Sequence, residues 1–432
     1  MLQAINRYFE LDKHNTSIQT ELIAALSTWS TMTYIIIVNP RILSKTGMDF
    51  GSVMTATILT AAFTTLVMGL LARYPIALAS GMGINGYFAF SIVTTTGLTW
   101  QAALAACSTA SVILITLNVL GIRQLIMEKL PKGIRVGTIA GIGIMLSFIG
   151  LRDVNLIVTH DTTLVTIGYM DSPEAMLAII GILLITSLMY FGVQPAIIAT
   201  VLLLWSFGFA FGMTPWRGFA SLPPTISHTL FQLDFSEFWT VKFFYATLSF
   251  VFIIIFDATG TLLSLTEQLG VLDQSKKFPC LKKALFCDAT GTAMGAILGT
   301  SPTSNYLESG AGIAAGGKTG LTSVFISLLF LSCLFLAPFV SSIPLFAISP
   351  VLIVIGALMA RGFRHVDWND ITEYVPAFVT MITIPLTFNI PGGLGLGMIT
   401  YVGTKFLTGN IDKIHWINWL ITILFVVKFL LV

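Results

Sequence analysis

Two aspartates occupy identical pentapeptides, Asp-Ala-Thr-Gly-Thr, at Asp257 and Asp288, and both lie in otherwise apolar stretches. A third carboxylate, Glu308, directly precedes a Ser-Gly-Ala-Gly turn, and Asn85 stands two residues after Gly83 in a similar turn earlier in the chain. An ionised carboxylate at the centre of a bilayer costs about 2.5–3.5 kcal/mol on insertion scales, so each such residue is a functional candidate by default. Two chemistries suit a buried carboxyl group. It can accept hydrogen bonds from a neutral polar ligand, and it can carry a proton across the membrane. The five histidines (His14, His160, His228, His365 and His415) all fall in polar stretches or at the ends of apolar runs, so a proton carrier here would be a carboxyl group.

Other chemistries compete for the paired aspartates. Ion-pumping ATPases carry Asp-Lys-Thr-Gly-Thr around a phosphorylated aspartate, but here alanine replaces the lysine and no phosphate-binding glycine loop appears. The 267–281 connection also leaves no room for a nucleotide domain. An intramembrane aspartyl protease needs two carboxylates close enough to share a proton. Asp257 follows the run Phe-Val-Phe-Ile-Ile-Ile and falls deep, whereas Asp288 comes five residues after Lys283, nearer one face. That difference in depth argues against a catalytic dyad and assigns Asp288 a structural or gating role. An anion carrier would want a basic residue at the glycine-rich turns, and none is there. The expectation is a transporter rather than an enzyme.

The elements that must hold these residues are membrane spans. The 432 residues are 55% hydrophobic and only 10% charged, against about 25% charged in soluble domains. Mean hydropathy is +0.89. Apolar runs of a length able to cross a ~30 Å hydrocarbon core recur near 20–40, 51–72, 75–93, 99–121, 134–151, 174–192, 193–213, 242–266, 280–298, 299–316, 319–342, 345–361, 370–389 and 390–408. A further apolar segment, 414–432, either crosses the membrane or lies on it. The first twenty residues are polar and contain no signal-type apolar core. Arg123, Lys129, Lys132 and Arg135 cluster in one connection, and Lys276, Lys277, Lys282 and Lys283 in another. With fourteen spans these fall on one side, which the positive-inside rule makes cytoplasmic together with both termini. Cys107, Cys280, Cys287 and Cys333 form no Cys-x-x-Cys pair and read as free thiols in apolar surroundings. The net charge of +2 carries no message about nucleic acid.

An internal repeat accounts for the two glycine-rich turns. "MGLLARYPIALASGMGINGYFAF" from Met68 and "MGAILGTSPTSNYLESGAGIAAG" from Met294 each open with Met-Gly, pass a proline and reach Ser-Gly-x-Gly-Ile. "FGVQPAIIATVLLLWSFGFAFG" from Phe191 and "FNIPGGLGLGMITYVGTKFLTG" from Phe388 form a second pair in the same order. This predicts two repeats of seven spans, 1–213 and 242–408, joined by an outward connection at 214–241 and followed by the 409–432 segment. Because seven is odd, the second repeat is inverted, as in many secondary transporters. Pro75, Gly81, Gly83 and Gly86 interrupt span 3, and Gly299, Pro302, Gly310 and Gly312 interrupt span 10. Non-helical backbone at membrane depth is tolerable only when it is buried in protein or lines a cavity. A half-helix starting there would offer free N–H groups to a polar ligand.

At these residues the chain resembles the AzgA-like purine permeases of the nucleobase–cation symporter family. Four ordered motifs carry the resemblance over almost the whole chain: "TELIAALSTWSTMTYIIIVNPRIL", "GMGINGYFAF", "FDATGT" and "GTSPTSNYLESGAG". The resemblance implies an all-α polytopic fold of fourteen spans in two inverted repeats, divided into core and gate domains, with a short strand and half-helix in spans 3 and 10. It implies inward transport of adenine, guanine or hypoxanthine with protons, no cofactor, and a bacterial-type cytoplasmic (inner) membrane location; sodium as the coupling ion stays open, as does a homodimer. Carried over by motif, Asp257 and Glu308 correspond to the acidic residues that bind purine and handle the proton, and Asn85 to the polar residue of span 3. Thr303 and Ser309, in the span 10 motif, join them as substrate-site candidates. Aspartate in span 8 points to the purine branch, since the uracil and xanthine branches typically carry glutamate there. One departure is the stretch "NIPGGLGLG" from Asn389, where the family pattern would place a polar or acidic residue. Tyr34, Tyr87 and Phe256 are aromatic side chains able to stack on a ring or simply to pack.

Overall fold

A computed structural model describes residues 2–193, 195–214, 216–269 and 281–431 of the chain. Lys276, Lys277 and Cys280 of the sequence reading lie outside the described residues. Among the described residues, eight helices are long and apolar enough to cross a membrane, including Phe50–Ala72, Trp100–Val119, Lys132–Asp153 and Leu345–His365. Large apolar side chains such as Phe244, Leu386 and Leu407 stand exposed on helix surfaces, as expected where the surrounding solvent is lipid.

The first apolar run is not one straight helix. Ile18–Met32 and Ile35–Leu43 meet at Thr33 and Tyr34, where Ile36 N–H donates to Thr33 O at 3.1 Å and Ile37 N–H to Tyr34 O at 3.0 Å. This i+3 spacing tightens the turn. Ile35–Leu43 also contains Pro40, whose missing N–H frees a carbonyl one turn earlier. The junction turns Tyr34 inward at the centre of the fold, where it is buried.

Four short strands occur among the described residues: β1 (Leu78–Ser80), β2 (Ile157–His160), β3 (Leu164–Ile167) and β4 (Thr303–Asn305). β2 and β3 form an exposed antiparallel hairpin in the connection after Lys132–Asp153. β1 and β4 are the interrupted spans. They pair antiparallel, with Leu78 opposite Asn305, Ala79 opposite Ser304 and Ser80 opposite Thr303. Gly81 N–H donates to Pro302 O at 2.9 Å and Tyr306 N–H to Ala77 O at 3.0 Å, which extends the pairing past both ends. Each broken span thus satisfies the other's backbone deep in an apolar environment, where an unpaired peptide group would cost several kcal/mol.

Sequence explains why the breaks fall there. Gly299 ends the Leu281–Leu298 helix at φ 93°, a left-handed conformation that side chains resist. Beyond each strand the chain coils again, as Met82–Gly86 running into a wider helix at Tyr87–Thr95, and as Ser309–Ala314. A Cβ at Gly312 would lie 2.6 Å from Ala24 O, so glycine there lets this short helix rest directly on Ile18–Met32.

The helices pack in two groups. Ile18–Met32, Ile35–Leu43, Phe50–Val67, Trp100–Val119, Val241–Leu269, Leu281–Leu298 and Gly320–Ser332 surround the strand pair. Lys132–Asp153, Pro173–Tyr190, Ala196–Ala210, Leu345–Ala360, Ile371–Thr387 and Ile390–Leu407 pack on one another beside it. Trp416–Leu431 lays its buried Ile417, Ile421 and Phe425 stripe on Ile390–Leu407, and Phe425 also meets Phe252 of the first group with ring centroids 4.9 Å apart.

Candidate functional site

Asp257, Glu308 and Asn85 each receive a partner that distance along the chain conceals. Asp257 lies in Val241–Leu269 and is buried; its carboxylate accepts a hydrogen bond from the Ser304 hydroxyl on β4. Successive residues of a strand point to opposite faces. Thr303, the preceding residue, turns to the other side and donates to the Asp288 backbone carbonyl at 3.1 Å. A single strand thereby links the helices carrying both Asp-Ala-Thr-Gly-Thr copies.

Glu308 follows four residues after Ser304, and its Oε1 accepts from the Tyr34 hydroxyl at 2.5 Å. The Tyr306 hydroxyl, between them, donates to Ser80 O at 2.6 Å and holds this stretch against β1. Ser309 accepts from Ala77 N–H at 3.0 Å through its Oγ. The hydroxyls of Thr303 and Ser309 are therefore engaged with scaffold backbone. Asn85 is fully buried, and its Nδ2 donates to Asn39 Oδ1 at 3.1 Å. Tyr34 and Asn39, both on the first span, thus reach Glu308 and Asn85 respectively. Tyr87 packs edge-on to Phe250, and Phe256 is wholly buried.

Asp288 has a different partner. Arg123, on the short helix Ile122–Lys129, pairs with its carboxylate and also donates to Leu285 O at 2.9 Å. Both members of the pair are fully buried. Arg123, one of the basic residues of that connection, thus lays its guanidinium against an aspartate inside the protein. Cys107, Cys287 and Cys333 are free and buried, as their sequence context suggested.

Sequence reasoning passed over Ser304, Asn39 and Arg123. Asn39 offered a signal, an Asn-Pro dipeptide inside an apolar run. The other two carried none, since Arg123 looked like a loop charge and Ser304 like a generic strand hydroxyl. A cavity of about 300 Å³ lies elsewhere, lined by Val38, Arg41, Lys45, Asp153, Leu345 and Leu352, where the first span meets the second helix group. It touches none of the candidates. Lys45 and Asp153 form an ion pair at 2.9 Å beside it. Among the described residues, no group of three or more His, Cys, Asp or Glu side chains is arranged to hold a metal ion.

The profile described as "Permease family" (Xan_ur_permease) matches residues 19–395, from the first span through both broken spans to the fourteenth run. The chain belongs to this permease family. A putative permease of Methanocaldococcus jannaschii is 43% identical over 99% of both chains. The adenine permease AdeP of Escherichia coli K12 is 36% identical, over 98% of this chain and 95% of that protein. The guanine/hypoxanthine permease PbuO of Bacillus subtilis is 37% identical, over 97% of this chain and 99% of that protein. These relatives are permeases, not enzymes, in keeping with the transporter expectation. In fold, the permease is similar to the transmembrane domain of the cyanobacterial bicarbonate transporter BicA, with a TM-score of 0.62 at 15% identity, over 87% of this chain and 96% of that one. The chain is thus a helical, multi-pass membrane protein.

Proposed function

We propose that this permease imports purine nucleobases with protons, by alternating access, and that Asp257, Glu308 and Asn85 form its substrate site. The observation that carries the reading is the convergence of two buried carboxyl groups on the Ser304–Glu308 stretch, each held by one hydroxyl donor. Ser304 engages Oδ2 of Asp257 and Tyr34 engages Oε1 of Glu308; in this reading the second oxygen of each accepts from the ligand. A purine is flat, neutral and edged with N–H donors and ring-nitrogen acceptors. Carboxyl oxygens can accept its N–H groups, and a protonated carboxyl can donate to a ring nitrogen. Each buried polar group left unpaired costs about 1–3 kcal/mol, which lets such a site reject near relatives.

In this reading the chain has fourteen spans in two inverted repeats, 1–213 and 242–408, with both termini cytoplasmic. The first helix group is the core, carrying spans 1, 3, 8 and 10, and the second is the gate. The core slides past the gate with substrate and proton aboard. Asp257 and Glu308 bind the purine and one of them carries the proton; Asp288 is structural. The names of AdeP and PbuO support a purine as the cargo and leave the choice between adenine and guanine/hypoxanthine to experiment.

The test is uptake of labelled adenine and hypoxanthine into cells or proteoliposomes, in competition with a nucleobase panel, with and without a protonophore. Purine uptake that collapses with the protonophore, and that Asp257→Ala and Glu308→Ala abolish while the protein stays in the membrane, supports the reading. Undiminished uptake in either variant contradicts it. Uptake that follows an imposed sodium gradient instead would replace the proton with sodium.

A further inference from the structure

Asn85 is oriented by a hydrogen-bond chain that begins on a backbone carbonyl. The Thr57 hydroxyl donates to Val53 O at 2.7 Å, so its single hydrogen is committed and its oxygen can only accept from other neighbours. Asn39 reaches that oxygen at 2.8 Å, so the Asn39 atom there must be Nδ2. The same Nδ2 donates to Thr300 Oγ1 at 2.8 Å, and both its hydrogens are thereby engaged. Asn39 Oδ1 then faces Asn85 and demands a donor. Asn85 supplies Nδ2 at 3.1 Å, and Ser301 Oγ adds a second donor at 3.3 Å. The other Asn85 N–H points to Met82 Sδ at 3.8 Å. Asn39, Thr57, Thr300, Ser301 and Asn85 are all fully buried, so no solvent competes for these bonds.

One atom is left over. Asn85 Oδ1 is buried and has no hydrogen-bond partner. A carboxamide normally offers a ligand either a donor or an acceptor by flipping, but the chain from Val53 removes that freedom. We propose that Asn39 is a positioning residue for substrate specificity, locking Asn85 so that it presents only an acceptor oxygen and so selects a ligand bearing a ring N–H or amino hydrogen at that edge. This rests on the purine reading of the site and sharpens it, because it says which polarity of purine edge meets the third span.

The experiment measures binding of adenine, hypoxanthine and their ring N-methyl isomers to purified protein, by competition against a labelled purine. For the wild type, Asn39→Leu, Asn85→Ala and the double variant, a double-mutant cycle separates positioning from general damage. The expected result is that Asn39→Leu weakens purine binding about tenfold in the wild-type background and has no further effect once Asn85 is alanine. The same loss in both backgrounds overturns the inference.

A second measurement uses only the wild type and Asn85→Ala, and so decides the matter even if Asn39→Leu does not reach the membrane. The N-methyl isomer that blocks the selected N–H is expected to be rejected about tenfold or more by the wild type, with most of that penalty gone in Asn85→Ala. If Asn85→Ala rejects every isomer as strongly as the wild type, or binds the parent purines unchanged, the acceptor role is wrong while the purine reading stands. If the wild type binds no purine at all, both fail.

Discussion

Asp257 and Asp288 share the same pentapeptide and are both buried, yet the protein treats them in opposite ways. Asp288 meets a full countercharge, the Arg123 guanidinium, and both groups are sealed from solvent. Asp257 has a hydroxyl partner in Ser304 and, among the described residues, no cation within ion-pair distance. The threonine four residues on makes the same helix-internal bond in each copy, Thr261 to Asp257 O at 2.9 Å and Thr292 to Asp288 O at 3.2 Å. The motif therefore fixes local helix packing, and the partner decides the role. A buried carboxylate that is already neutralised has little left to offer a ligand, whereas one held by a single hydroxyl keeps an oxygen and a protonation change in reserve.

That contrast can be broken experimentally. The largest effect should come from Asp288→Leu alone, which strands the Arg123 charge in the interior. Removing one partner of a buried pair typically costs about 3–5 kcal/mol, so this variant should accumulate poorly and melt early in detergent, while Arg123→Met/Asp288→Leu should recover most of the loss. Thermal melting of the purified variants checks this, and a double variant no better than the single would mean that the pair is not the reason Asp288 matters. Asp288→Asn would leave the Arg123 guanidinium unneutralised, so the paired replacement is the cleaner probe.

Asp257→Asn comes next. It swaps an acceptor oxygen for a donor at the proposed ligand contact, and a purine affinity lower by about 100-fold is expected in a competition assay with little change in melting temperature. Ser304→Ala should cost about tenfold in affinity, the worth of one hydrogen bond to a charged group. Thr303→Val, which removes a hydroxyl that meets the Asp288 backbone carbonyl and the Thr292 hydroxyl, should alter affinity by less than about threefold. A Thr303→Val effect as large as that of Ser304→Ala would show that strand placement, rather than the Asp257 contact, is what both residues supply.

Much of this arrangement is legible in the sequence. The length and repetition of the apolar runs announce membrane spans, and glycine and proline mark the two interruptions whose strands pair in the structure. Asp257, Glu308 and Asn85 stand out because polar groups in oily stretches are expensive. Their partners do not stand out. Tyr34 lies 274 residues from Glu308 and Arg123 lies 165 from Asp288, and only the packing of distant helices brings them together. Arg123 misleads most, since a basic residue between two spans looks like a solvated anchor until a facing aspartate is seen. The bend at Thr33 and Tyr34 is equally hidden, because nothing in "TMTYIII" breaks a helix outright. Asn39 is the intermediate case: its polarity and the following proline flag the position, but its bond to Asn85 emerges only from the fold.

The central claim is that Asp257 serves the ligand and Asp288 serves the scaffold. Purine binding by Asp257→Asn and by Arg123→Met/Asp288→Leu, measured side by side in detergent with labelled adenine and hypoxanthine, tests it most directly. The account predicts that the first loses about 100-fold in affinity while the second stays within about threefold of the wild type. Equal losses in the two variants, or a well-folded paired variant that no longer binds purine while Asp257→Asn still does, would contradict it.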